Sequence, residues 1–176
     1  MSFRPQSVLL DKGVVRRVYE ARVRFALNQP PTLTQAEATN IWFHLRARNT
    51  LLYITEQTAH ILERRPPVFA AALQAQTLTL QKGRYLRRWA RRLRDEGFSP
   101  EDAIVLAYGS FGVDLQAQRV GVEFVITHDL RLVTNFTNRF AAIRSRFEQM
   151  VLQLPEPYQR LTFPGVMATT AILAEL

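Results

Sequence analysis

Short apolar runs recur along the chain, and most lead into stretches with the periodicity of a half-buried helix. SVLL (7–10) is followed by GVVRRVYEARVRFALN (13–28), where Val14, Val15, Val18, Ala21, Val23 and Phe25 fall mostly at helical spacing with arginines between them. Pro30 and Pro31 break the pattern. Thr34 and Glu37 then fit a capping box, which predicts a helix through about Arg48. LLYIT (51–55) reads as a second strand and EQTAHILERR as the helix after it, ended by Pro66 and Pro67. VFAAALQAQTLTL (68–80) is alanine-rich and then alternates, so helix and strand both stay open. Residues 83–96 have a helical pattern. Ser99 suits an N-cap, Pro100 suits the first helical position, and acids fill the first turn. GVEFVIT (121–127) reads as the last clear core strand.

Strands alternating with helices predict an α/β domain around a mostly parallel sheet. A chain of 176 residues is long enough for one domain with a real core and short for two. The tail from Leu154 to Leu176, rich in proline and apolar residues, either completes that core or forms a subunit contact. No uncharged apolar run reaches the ~18 residues that suggest a membrane helix. The charged start MSFRPQSVLLDK argues against a secretory signal. The absence of cysteine excludes disulfides and thiolate zinc sites, and makes a cytoplasmic location the default expectation.

Charge changes the picture more. The net charge is +8, and of the 23 basic residues only Lys12 and Lys82 are lysines. Arginine's planar fork pairs well with phosphate, which makes nucleic acid a plausible partner; a coding bias toward arginine explains the composition equally well. In KGRYLRRWARRLRDEG (82–97), Leu86, Trp89, Ala90 and Leu93 form an apolar stripe. Arg84, Arg87, Arg88, Arg91, Arg92 and Arg94 cover the rest, either as a solvated face or as a phosphate-binding one with strong salt dependence. The stripe is needed for the core, so a membrane is not the expected partner.

Candidate chemistry comes from carboxylates. Ligands of open parallel sheets bind beyond the carboxyl ends of the strands. Asp11 follows SVLL directly, Asp129 follows EFVIT after one residue, and Asp102 lies in the first turn of the helix that Ser99 opens. Each has a structural reading alone: a turn, an arginine partner, a favourable helix-dipole contact worth ~0.3–1 kcal/mol. Together they form a self-repelling cluster that a hard divalent ion would relieve. His44, His60 and His128 have no zinc spacing. His128, beside Asp129, is either in reach of a substrate phosphate or simply an exposed residue after a strand.

With VLLD (8–11), SPEDAIVLAYG (99–109) and FVITHDLRL (124–132) in this order, the chain resembles the PIN domains, metal-dependent nucleases that include the VapC toxins. Asp11, Asp102–Ala103 and Thr127–His128–Asp129 meet three positions of the family pattern. The resemblance implies a three-layer α/β/α sandwich. It implies one PIN-like domain over 1–176, with a core of about 7–136 and an extension, 137–176, packing on the core or a partner. It further implies that Asp11, Asp102 and Asp129 hold Mg²⁺ or Mn²⁺ for the hydrolysis of RNA phosphodiesters. Lys12, Thr127, His128 and the arginines of 84–92 would then contact the RNA, and an acidic antitoxin or a homodimer would be the protein partner. The family takes a fourth acid from the helix after the second strand; Glu56 is preferred here over Glu63, with Glu37 third. Where the family has a small hydroxyl residue or Asn after the first Asp, this chain has Lys12–Gly13, which puts a cation beside the cluster. A PIN-like module that binds RNA or protein without cutting is therefore the second reading. A haloacid-dehalogenase-type phosphotransferase would need an aspartate where Gly13 stands.

Overall fold

The computed structural model describes residues 3–174, so the last two residues of the tail lie outside the described part. Five strands run parallel: β1 (Ser7–Leu10), β2 (Leu51–Thr55), β3 (Leu78–Lys82), β6 (Phe124–Thr127) and β7 (Gly165–Ala168). Two short strands, β4 (Gly112–Asp114) and β5 (Arg119–Val120), add an antiparallel edge, giving the order β5-β4-β3-β2-β1-β6-β7. The expected α/β domain with a mostly parallel sheet is therefore present. Eight α-helices accompany the strands among the described residues: α1 (Lys12–Ala26), α2 (Leu33–Ala47), α3 (Glu56–Glu63), α4 (Pro67–Gln74), α5 (Leu86–Asp95), α6 (Pro100–Phe111), α7 (Leu130–Val151) and α8 (Thr169–Ala174).

Alternate side chains of a strand point to opposite faces, and the core divides accordingly. Val8, Leu10, Leu52, Ile54 and Ile126 join Val14 and Val18 of α1, Trp42 of α2, Leu73 of α4 and Ile172 of α8 in one cluster. Leu9, Tyr53, Leu80 and Val125 join Trp89 of α5, Leu106 of α6 and Phe147 of α7 in the other. Successive strand residues are apolar because helices cover both faces, which leaves no alternation to read.

Several expectations shift in detail. The capping box that opens α2 is Thr32 with Gln35, two residues before the pair Thr34 and Glu37, so the helix begins as soon as the prolines end. The arginine helix starts at Leu86, leaving Arg84 outside it. The ambiguous segment resolves into α4 followed by β3. GVEFVIT pairs as a strand only from Phe124; Gly121 turns at φ +71°, where an added Cβ would meet the Ser110 carbonyl oxygen at 2.8 Å. Nor is β6 the last strand. The tail contributes β7, paired with β6 through all four of its residues, and α8, whose Ile172 is fully buried. β6 is thus held between two neighbours, which fixes where the chain emerges at Thr127, His128 and Asp129.

Candidate functional site

β1 pairs with β2 on one side and with β6 on the other, so the chain leaves β1 in one direction and returns on its far side. The carboxyl ends of these two strands form a switch point, where open α/β sheets place their ligands. Asp11 sits there as the residue preceding α1, its N–H donating to the Ile126 carbonyl of β6 at 2.9 Å. Asp129 precedes α7. Its Oδ1 caps that helix, accepting from the N–H groups of Arg131 (2.8 Å) and Leu132 (3.2 Å).

Thr127 links the two acids. Its hydroxyl donates to Asp11 Oδ2 at 2.9 Å and accepts the Asp129 N–H at 2.9 Å, and the residue is fully buried. The third acid arrives from α6, where Ser99 accepts the Asp102 N–H at 3.1 Å and fixes the first turn. Asp11, Asp102 and Asp129 all line one cleft of about 450 Å³, together with Lys12, Arg17, Thr55, Thr58, Glu101 and His128.

Burial is the main cause that raises the Asp11 carboxyl above its ordinary value. The Thr127 hydroxyl, the Lys12 N–H and the Lys12 charge oppose the shift, and the negative charge of Asp129 adds to it. Lys12 does not commit itself to this carboxylate: its ammonium lies 3.9 Å from Glu101 Oε2, with both side chains at least half exposed. An exposed pair of that length is worth at most ~1 kcal/mol. His128 is lowered to about 4, first by burial and then by the charge of Arg17, so it is neutral near pH 7. Its Nδ1 lies 2.7 Å from the Thr169 hydroxyl, while its buried Nε2 has no hydrogen-bond partner among the described residues.

Glu56 does not line the cleft. Its carboxylate accepts from the Tyr108 hydroxyl at 2.8 Å; burial, and then this bond, raise Tyr108 well above the usual phenol range. Glu63 lies 3.3 Å from His60 on an exposed stretch of α3, and Glu37 sits half-buried on α2; neither lines the cleft. Of the α5 arginines, Arg87, Arg88, Arg91 and Arg94 are exposed and Arg92 is half-buried. Arg84 lies over the Tyr85 ring at 5.5 Å. None of these six lines the cleft, and among the described residues none forms an ion pair with a carboxylate. They form a separate basic ridge.

Pattern reading missed Arg17 and Glu101. Arg17 follows Gly13 by one helical turn and donates to its carbonyl at 3.3 Å, and a Cβ built on Gly13 would meet both Arg17 Nη1 (3.5 Å) and Asp11 Oδ2 (3.6 Å). The i, i+4 spacing was the available signal. Glu101 was visible as the neighbour of Asp102 in the same first turn.

Among the described residues, no three acidic or histidine side chains lie close enough together to hold an ion as they stand. The donor type nevertheless suits one, since the three carboxylates that line this cleft offer hard oxygen ligands. No helix among the described residues is long and apolar enough to cross a membrane. Comparison of the chain with protein-family models, curated proteins and solved structures finds no match.

Proposed function

We propose that this chain is a metal-dependent ribonuclease of the PIN type, a three-layer α/β/α sandwich that hydrolyses RNA phosphodiesters as the toxin of a toxin–antitoxin pair. The observation that carries the reading is the bonded series Asp129–Thr127–Asp11 at the sheet's switch point, with Asp102 brought into the same cleft by α6. Asp11, Asp102 and Asp129 are the residues that would hold Mg²⁺ or Mn²⁺. When bound, such an ion stabilises charge on the phosphate and lowers the pKa of a coordinated water.

The chain's own groups have separate tasks. Thr127 fixes the rotamer of Asp11 and the path of the main chain into Asp129. The cap on α7 engages one oxygen of Asp129 and leaves the other for the cleft. Lys12 and Arg17 attract the phosphate, and neutral His128 lines the cleft without adding charge to it. The arginines of α5 hold the RNA backbone away from the cleft, and the net charge of +8 suits an acidic antitoxin as partner. In this reading the protein works as a homodimer, as small toxins of the family do.

The test is cleavage of labelled RNA with Mn²⁺ or Mg²⁺, with EDTA as control. Asp11→Asn and Asp129→Asn should each lower the rate by about a hundredfold or more, the scale of losing one electrostatic stabiliser. Lys12 and Arg17 favour a second reading, because they already bring positive charge to the acids: a binding module without catalysis. Salt-sensitive RNA binding with no metal-dependent cleavage would establish that reading and sink the first.

A further inference from the structure

A groove of about 220 Å³ runs between α1 and α3 and adjoins the cleft, sharing Lys12, Gly13 and Thr58 with it. Its α1 wall carries Lys12, Arg16 and Tyr19 at spacings of one turn, and its other wall carries Thr58, Ile61 and Leu62, followed by Arg65. The floor is apolar. Val15 and Leu62 are buried, while Ile61 is 36% exposed. The Arg65 guanidinium lies 5.5 Å from the Tyr19 ring centroid. Glu20 is the acid lining the groove, and Arg16 lies 3.3 Å from it in an exposed pair that a stronger anion can displace.

The groove is smaller than the ~300–1,000 Å³ typical of sites that enclose a whole small ligand. It suits one segment of a polymer that continues into the cleft. Cations along the rim and an apolar floor match the two surfaces of a single-stranded nucleotide, a charged backbone and a flat base. We propose that this groove holds the unpaired nucleotide next to the scissile phosphate, its base against Val15, Ile61 and Leu62 and its backbone against Arg16 and Arg65. A base already stacked and paired in a duplex cannot reach this floor, so the groove distinguishes an unpaired nucleotide from a paired one at this position. This rests on the reading of the cleft as a phosphodiester site.

The test separates the two. Binding of a short fluorescent single-stranded RNA, and of the same strand annealed to its complement, is measured in EDTA; cleavage is measured separately with Mn²⁺. Ile61→Ser and Arg65→Ala, both at exposed positions, should each weaken single-strand binding about tenfold and leave duplex binding within twofold. Arg16→Ala should lower the slope of log affinity against log salt by about one. Equal losses for single strand and duplex, or no loss for either, overturn the groove even if cleavage is robust. Selective losses without any metal-dependent cleavage keep the groove as a single-strand site and remove the nuclease reading instead.

Discussion

Thr127 uses one hydroxyl for two partners, and the acid it supports is costly to keep charged. Burial raises the Asp11 carboxyl, so the fold favours its neutral form. The sign follows from linkage: the stabilising contribution is complete below the unfolded carboxyl value and is lost as pH rises through the folded one. Near neutral pH the charged group therefore costs stability. Asp11→Asn keeps an oxygen for the Thr127 hydroxyl and removes the charge, so in EDTA its Tm should exceed that of the wild type. Calorimetry with and without Mn²⁺ checks this, because an ion held by Asp11 narrows the difference. His128 behaves in the opposite sense. Lowered to about 4, it contributes stability that is complete above about 6.5 and lost as pH falls toward 4. Denaturant midpoints measured across that window should decline in the wild type and decline less in His128→Asn.

At the scale of elements, two N-caps of like chemistry have different consequences. Thr32 caps α2 outside the cleft, and Ser99 caps α6 at the turn that carries Asp102. Replacing either by alanine should cost ~1 kcal/mol. Only Ser99→Ala should also slow RNA cleavage, so matched melting curves and initial rates tell the two apart. The same elements mark how far local pattern reaches. β1, α1, β2, α3 and the start of α6 were legible because apolar runs and prolines mark them, with Thr55 and Ser99 capping α3 and α6. The start of α2 was misplaced because two T-x-x-[EQ] patterns overlap at Thr32–Gln35 and Thr34–Glu37, and only the surrounding prolines decide between them. β4, β5 and β7 were not legible. They are two to four residues long and exist as strands because tertiary partners complete them. β4 and β5 form a hairpin gathered by Asp114, which accepts from the Tyr53 hydroxyl at 2.8 Å and from the N–H groups of Gln116 and Ala117. Glu56 illustrates the same limit at the site. Its direction is set by Tyr108, 52 residues away, which no local spacing encodes.

For the whole molecule, the decisive quantity is how the positive charge is distributed. Lys12, Arg16, Arg17 and Arg65 gather at the cleft and its groove, while the α5 ridge stands apart from both. A ridge that contacts phosphates contributes to affinity through counterion release, and each lost contact flattens the salt dependence by about one unit of slope. Arg88→Ala combined with Arg91→Ala should therefore reduce the slope by about two, measured by fluorescence anisotropy over a salt series. An unchanged slope would show that the ridge is merely solvated.

The pairing of β1 with β6 also sets an order of events during synthesis. Asp11 and Thr127 meet across 116 residues of chain. A growing polypeptide that has released β1 but not β6 has its first acid and no cleft. If the finished cleft cuts RNA as proposed, a chain whose β6 is still inside the ribosome has no means to do so, and its own message is spared during synthesis.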